Sequence, residues 1–154
     1  MKLKITGCAA LIGLALSSAA AFAQDKAALV KERQDFMERQ QHDFDAIAAY
    51  AKGKGDQGSA IDKVNDLLAL APKIVDQFQP GTSSVDFPGK SRAKPEIWQN
   101  WDKFKATPVT LQAEEQKLLA AVRDADRQRV QDQLIATFRD GCGSCHTDYR
   151  APRS

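Results

Sequence analysis

The C-terminal end of the chain carries three residues whose types and spacing could bind an iron cofactor. Cys142 and Cys145 are three residues apart and His146 follows directly, in the string Cys142-Gly143-Ser144-Cys145-His146. On a helix, side chains three and four residues apart share one face. Two thiols could then form thioethers with the vinyl groups at a porphyrin edge while the imidazole reaches the iron from one side. This spacing is the sequence signature of covalent haem attachment.

The same motif has two other interpretations. A thioredoxin-type redox dithiol prefers a strand-to-helix context, which this part of the sequence lacks. A structural zinc site usually takes four ligands, and His42 is the one further nitrogen or sulfur ligand of the usual kind in residues 24–154. We therefore favour one haem c, attached covalently through Cys142 and Cys145.

The N-terminal segment predicts export. Residues 1–4 form a short basic start, residues 5–22 are apolar or small, and Ala21-Phe22-Ala23 is the small-x-small pattern that signal peptidase reads. We expect a signal peptide over residues 1–23, cleaved after Ala23, and one domain over residues 24–154. Cys8 precedes the apolar run instead of following it, so it is interpreted as a signal residue and not a lipid attachment site. Export through this signal predicts a periplasmic protein.

Charge gives little support to a nucleic-acid or membrane function. The whole chain holds 22 basic and 20 acidic residues, and loss of Lys2 and Lys4 with the signal leaves 20 of each. Residues 24–154 are therefore formally neutral, without a basic stripe for nucleic acid or an apolar run long enough to span a bilayer.

Hydrophobic periodicity predicts an all-α protein. Four amphipathic helices are expected, over about residues 26–52, 59–78, 95–122 and 126–149. A long connection over residues 79–94 follows the second helix, and Pro108 is expected to kink or interrupt the third. Helices of this length with up-down connections form an antiparallel four-helix bundle, an architecture that holds cofactors between its helices.

The same periodicity predicts which side chains face inward and which face solvent. The second helix has one regular apolar stripe, made of Ile61, Val64, Leu68, Ala71, Val75 and Phe78. The fourth is expected to turn inward Val130, Leu134, Phe138, Cys142, Cys145 and Tyr149. The charged stretches at residues 114–117 and 123–129 are expected to be solvent-exposed.

The position of the motif makes Met37 the central open question. Eight residues follow His146 and none is methionine, and Met37 is the one methionine in residues 24–154. Any methionine ligand on the second axial side of the iron must therefore be Met37. Its other interpretation is an ordinary packing residue on an apolar helix face. Iron held by histidine and methionine suits electron transfer, whereas an open second face suits gas binding.

At this point the sequence resembles the class II c-type cytochromes, the cytochrome c′ family. Four motifs along the chain carry the resemblance: Arg33-Gln34-x-x-Met37, Pro80-Gly81-Thr82, Lys94-Pro95-Glu96-Ile97-Trp98 and Cys142-x-x-Cys145-His146-x-x-Tyr149-Arg150. The resemblance implies a four-helix bundle with haem packed between the helices. It further implies that His146 is the proximal iron ligand and that position 37 lies over the distal iron face.

The resemblance also implies roles for two other residues and for partners. Arg33 would pair with a haem propionate and Gln34 would lie beside the haem edge. The function expected is single-electron transfer with a redox partner protein and without catalysis. The alternative is a five-coordinate haem that binds nitric oxide or carbon monoxide. Dimerisation through the first two helices is common in the family, so a homodimer is among the expected assemblies.

Overall fold

The computed structural model describes residues 15–153 and shows an all-α chain in that range. The helices described are α1 (Ala15–Ala51), α2 (Gln57–Leu70), α3 (Glu96–Gln99), α4 (Trp101–Arg123), α5 (Arg127–Ala136) and α6 (Ser144–Tyr149). Two 3₁₀ turns, Ala71–Lys73 and Val75–Gln77, extend α2. A π-helical segment, Thr137–Gly143, joins α5 to α6. Cys8 and most of the expected signal peptide lie outside the described residues.

These elements form the expected antiparallel four-helix bundle. The four columns are α1, α2 with its 3₁₀ turns, α3 with α4, and α5 with the π segment and α6. Each column packs on the next, and the fourth returns to α1. An isolated antiparallel bridge pairs Ala93 with Arg150 and ties the long connection to the C-terminal end. Nowhere in the described range is a helix long and apolar enough to cross a membrane.

Side-chain caps set two of the helix starts. Asp56 accepts a hydrogen bond from the Ser59 backbone N–H at 2.8 Å, so α2 begins a little earlier than the sequence predicted. Asp126 caps α5 in the same way, accepting from the Arg129 backbone N–H at 3.0 Å. Between α4 and α5, Ala125 adopts a left-handed backbone with φ of 56°. The expected break between the third and fourth helices is confirmed at this turn.

Of the two effects that we expected from Pro108, a kink or an interruption of the third helix, the interruption is wrong. α4 runs through Pro108, and the break lies earlier, at Asn100 between α3 and α4. Proline lacks the N–H that would bond the carbonyl four residues before it, here that of Phe104. The Thr107 hydroxyl donates to this carbonyl at 2.8 Å. The Phe104 carbonyl is therefore hydrogen-bonded although Pro108 has no N–H to offer it.

The second helix differs from its prediction in both length and face. Its α-helical part ends at Leu70, and Pro72 lies in the 3₁₀ turn that follows. The residues buried along this column are Ala60, Val64, Leu67, Leu70, Ala71 and Ile74. Ile61 and Leu68 from the predicted stripe are half-buried and pack against the core. The apolar surface of α2 is wide because it contacts both α1 and α4, and periodicity placed the centre of that surface one position too late.

The two charged stretches have different outcomes. Residues 123–129 are exposed, as predicted. In the stretch 114–117 the prediction is wrong for Glu114 and Glu115, because both are buried and Glu115 is fully so. Glu115 lies four residues after Leu111 and three before Leu118, which are themselves buried. The helical period therefore places its carboxyl on the inward face of α4.

Candidate haem site

A cavity of about 740 Å³ lies between the helices at the end of the bundle that holds α6. Its walls come from α1, the 3₁₀ turns, the long connection, α4, the π segment and α6. The structure brings together at this cavity all six residues that the sequence singled out: Arg33, Gln34, Met37, Cys142, Cys145 and His146. These residues come from opposite ends of the chain, and the bundle places them around one space.

The change of helix type within the motif decides how its side chains are presented. Cys142 lies in the π segment, whereas Cys145 and His146 lie in α6. Gly141 allows the segment to approach α4 closely, since a Cβ there would lie 2.8 Å from the Leu111 Cδ1 and 3.2 Å from its Cα. Short π segments inside helices recur at functional sites. Here the segment presses Cys142 toward α4.

Burial makes the two thiols poor redox groups. Cys142 and Cys145 are half-buried and are not joined by a disulfide. Burial raises the pKa of Cys142 to about 11 and also raises that of Cys145. A reactive dithiol needs a lowered thiol pKa, so the geometry does not fit the redox-dithiol interpretation. No group of three or more metal-binding side chains forms within the described residues, so a structural zinc site does not fit either.

His146 presents an imidazole that is suited to binding iron. Its pKa is lowered first by partial burial at the cavity wall and then by the positive charges of Arg150 and Arg92. A lowered pKa keeps the ring neutral at neutral pH, and neutral imidazole is the form that coordinates metals.

Arg33 brings a buried positive charge to the cavity. Only 6% of the residue is exposed, and burial lowers its pKa. Its guanidinium donates to the hydroxyl and the carbonyl of Thr82 and to the hydroxyl of Ser91, at 2.8 to 2.9 Å. It also lies 4.9 Å from the centre of the Phe78 ring. These partners are uncharged, so they hold the side chain in place and leave its charge uncompensated among the described residues.

Gln34 and Met37 line the same wall with different exposure. Gln34 is exposed, and its Nε2 donates to the Lys90 carbonyl at 2.6 Å. Met37 is half-buried and packs with Ile74 and Leu111. Its sulfur lies 3.6 Å from Nε2 of Gln40, which donates to it. Both residues thus have a defined position at the cavity.

The aromatic walls of the cavity were not predicted as a set. Rings on α1, α4 and the π segment line it, together with one ring just after the second 3₁₀ turn: Phe44, Phe104, Phe138 and Phe78. Phe138 was expected to be buried in the core but is 40% exposed, because it faces the cavity. Its ring centre lies 4.9 Å from that of Phe44. Its place four residues before Cys142 is a signal that could have assigned it to the site.

A second set that sequence reasoning missed is basic. Arg92 and Arg153 join Arg150 at the cavity mouth. Burial and the charges of the other two arginines lower the pKa of Arg150. No ion pair to any of the three forms within the part of the chain that the structure describes. Arg92 comes from the long connection, where no periodicity indicates its direction.

The residues present fit a haem group. The cavity volume lies within the range of about 300–1,000 Å³ that is typical of cofactor and ligand sites. Most of its wall surface is apolar, as a porphyrin face requires. Two thiols and an imidazole lie on one side, and guanidinium groups that suit carboxylates lie at its margins. The bundle and this donor set together define a c-type cytochrome of the helical-bundle class.

Comparisons with known proteins give the family. The sequence model of the Cytochrome C′ family matches residues 28–150. A cytochrome c-556 from Agrobacterium tumefaciens (strain II Chrys) is 32% identical over 123 residues, which are 79% of this chain and 95% of that protein. The solved structure of cytochrome c′ from Rhodobacter Spheriodes superposes with a TM-score of 0.72 at 29% identity, covering 83% of this chain and 98% of that one.

A further solved structure is a nitric oxide complex of a cytochrome c′ variant from Alcaligenes xylosoxidans. It has a TM-score of 0.66 and 26% identity, and covers 80% of this chain and 94% of that one. The chain therefore belongs to the cytochrome c′ family. It is a c-type cytochrome with one haem c, bound covalently through Cys142 and Cys145.

Proposed function

We propose that this protein is a periplasmic carrier of single electrons in which His146 and Met37 are the two axial ligands of the haem iron. One observation carries the proposal: the Met37 thioether and the His146 imidazole line the same cavity as the two cysteines. The predicted signal peptide over residues 1–23 supports the location. The protein has no substrate of its own in this role and is not an enzyme.

Different residues of the chain hold different parts of the haem group. Cys142 and Cys145 would fix its position through thioethers, and His146 would supply an imidazole nitrogen to the iron. Arg33 pairs with a propionate, because its charge lacks a compensating carboxylate among the described residues. Gln34 lies beside the haem edge. Haem iron held by histidine and methionine supplies a one-electron couple and suits electron transfer.

Contacts around Met37 support it as a ligand. The side chain packs against the apolar cluster of Ala71, Ile74 and Leu111, so its range of positions is limited. The hydrogen bond from Gln40 further restrains the sulfur. A thioether sulfur has a second lone pair, so it can accept this bond and still coordinate a metal.

Charge at the cavity mouth suggests what kind of partner the carrier meets. Arg92, Arg150 and Arg153 concentrate positive charge where the cavity opens. Complementary charge steers two proteins into encounter and raises the association rate. We therefore propose a redox protein with an acidic surface as the electron partner.

Gas binding is the second candidate function. Its support is the nitric oxide complex of the Alcaligenes xylosoxidans relative. For this chain the candidate requires that Met37 stays unligated and serves as a packing residue. A small gas such as nitric oxide or carbon monoxide would then bind on that side.

Absorption spectra of the purified holoprotein test the proposal. We expect low-spin spectra and a methionine–iron charge-transfer band in the oxidised wild type, and loss of both in Met37→Leu, which keeps side-chain volume. Phe36→Leu is the matched control, because this neighbour changes packing in the same apolar cluster without removing sulfur. A high-spin wild type that binds carbon monoxide rapidly would reject Met37 ligation and favour gas binding.

A further inference from the structure

The side chain that the proposed function leaves without a role is Glu115. It is 0% exposed, and neither carboxylate oxygen has a hydrogen-bond partner in the described part of the chain. Burying a polar group without partners costs free energy, and burying an ionised one costs more. Its neighbour Glu114 shows the ordinary arrangement, since that carboxylate bonds Lys117 at 2.6 Å and Gln133 at 2.7 Å. The isolation of Glu115 is therefore specific to that position.

Its place in the packing puts Glu115 directly behind the haem attachment point. On α4 it lies between Leu111 and Leu118, one turn from each. Leu111 belongs to the apolar cluster beside the cavity and Leu118 to the main core. Cys142 packs against both clusters, and α4 contributes Leu111 to one and Leu118 to the other, on either side of Glu115. The pKa of Cys142 is raised first by burial and then by the negative charge of Glu115, as expected for a carboxylate close to this thiol.

Other charged groups are too far outward to compensate this carboxylate. α4 packs against α2, α5, α3, α6, the 3₁₀ turns and the π segment. The Asp, Glu, Lys and Arg side chains on those elements are exposed or half-exposed: Asp62, Lys63, Asp66, Lys73, Asp76, Glu96, Arg127, Arg129, Asp132, Arg139, Asp140 and Asp148. Of Cys142, Cys145 and His146, which lie on the π segment and α6, only Cys142 has a pKa that the charge of Glu115 shifts. Once Cys142 is a thioether it no longer titrates, and the haem group that it holds would bring a charge that changes with oxidation state.

We propose that Glu115 is the proton-accepting residue coupled to electron uptake, which makes this protein a carrier of one proton together with one electron. The step rests on the proposed electron-carrier function. A reduced partner protein would supply one electron to the haem group, and hydronium in the solvent would supply one proton, which binds a Glu115 carboxylate oxygen and leaves water. Oxidation by the next partner reverses both transfers, so that electrons and protons balance.

Electrostatics gives the direction of this coupling. The oxidised group carries one more positive charge, which favours the carboxylate form of Glu115, and reduction removes that charge. In a buried, low-dielectric site such a change acts strongly on a nearby acid. Burial raises the pKa of Glu115 to about 8, so the acid changes protonation state close to neutral pH. An exposed carboxylate would stay ionised in both redox states.

The pH dependence of the midpoint potential of the holoprotein tests the proposal. From about pH 5 to about pH 9 we expect the wild-type potential to fall as pH rises, approaching about 59 mV per tenfold change in proton concentration where one proton accompanies each electron. Glu115→Gln and Glu115→Leu should remove this fall. The control Glu114→Gln, one residue away and already partnered, should keep it. Two Glu115 variants are used so that one unstable protein does not decide the result.

A second measurement follows the proton itself. Infrared difference spectra between the two redox states should show a protonated carboxyl band that appears on reduction in the wild type and is absent in Glu115→Gln. The proposal would be overturned if both Glu115 variants kept the wild-type slope of midpoint potential against pH. A wild-type potential that does not change with pH would also overturn it. Failure of Met37 ligation would appear separately as high-spin spectra, because the slope and the spin state are measured independently.

Discussion

One buried ionisable residue lies on the α1 wall of the cavity and another lies behind the opposite wall, and the protein surrounds these two groups differently. On the α1 wall, Arg33 donates three hydrogen bonds to neutral oxygens of the long connection. Behind the opposite wall, Glu115 has no hydrogen-bond partner among the described residues. A guanidinium stays charged at any ordinary pH, whereas a carboxyl can escape the cost of burial by taking up a proton. The first arrangement positions a fixed charge, and the second allows a charge to vary.

Removing the covalent link between the chain and haem should have the largest effect. The change is made on the cavity wall that carries Cys142, behind which Glu115 lies. The double variant Cys142→Ala and Cys145→Ala loses both thioethers, so we expect no haem to stay with the chain after denaturation. Haem-stained denaturing gels measure this directly. Cys142→Ala alone should leave one link through Cys145. Haem retained by the double variant would refute the attachment site.

Replacing the fixed charge should have the next largest effect. Arg33→Gln removes charge-assisted bonds that join α1 to Thr82 and Ser91, and we expect a loss of about 2 kcal/mol in the free energy of unfolding. Arg39→Gln is the matched control, because it makes the same change at an exposed position of the same helix. Denaturant unfolding of both holoproteins measures the difference. Equal stabilities would show that Arg33 contributes no more than a surface charge.

Replacing Glu115, whose charge varies with pH, should raise the stability of the protein, whereas replacing Arg33 should lower it. The pKa of Glu115 is raised to about 8 in the folded protein, so its contribution to stability is full below about pH 4.5, its ordinary value, and is lost as pH rises through about 8. Glu115→Leu should therefore stabilise the protein at pH 9, on the order of 2 kcal/mol, with little effect at pH 4. Thermal or denaturant unfolding across pH measures this. A constant difference between variant and wild type over the range would contradict a titrating buried acid.

A smaller loss of stability is expected from a change at Gly141, where the π segment touches α4. Gly141→Ala adds a Cβ within 3.2 Å of the Leu111 backbone, so the π segment must move outward. We expect a loss of about 1 kcal/mol in stability. The matched variant Gly55→Ala has open space around the new Cβ but a φ of 81°, so it reports backbone strain without crowding. A Gly141→Ala protein as stable as the wild type would show that this contact tolerates an added methyl group.

Helical periodicity accounts for how much of this architecture could be predicted. It predicted the four columns, and the spacing of the cysteines and His146 predicted the covalent cofactor. It also predicted the break after α4, where Asp126 acts as the cap. Local rules were less successful at Pro108, because the prediction ignored a hydroxyl one residue earlier that satisfies the orphaned carbonyl. Proline in a helix is tolerated where such a partner exists.

The sequence predicted only part of the candidate site. The six residues singled out do line one cavity, because they lie on motifs with defined spacing. Arg92 was missed because it lies in an irregular connection whose course periodicity does not describe. Glu115 was misassigned because charge was given more weight than its position in the helical repeat. The misassigned residue is the one for which we now propose a function.

Electron paramagnetic resonance of the oxidised holoprotein at neutral pH tests the central claim most directly, since it reports the ligands of the iron without perturbing the chain. Coordination by His146 and Met37 predicts a low-spin signal, and Met37→Leu should convert it to high spin. A high-spin signal from the wild type would contradict the electron-carrier account.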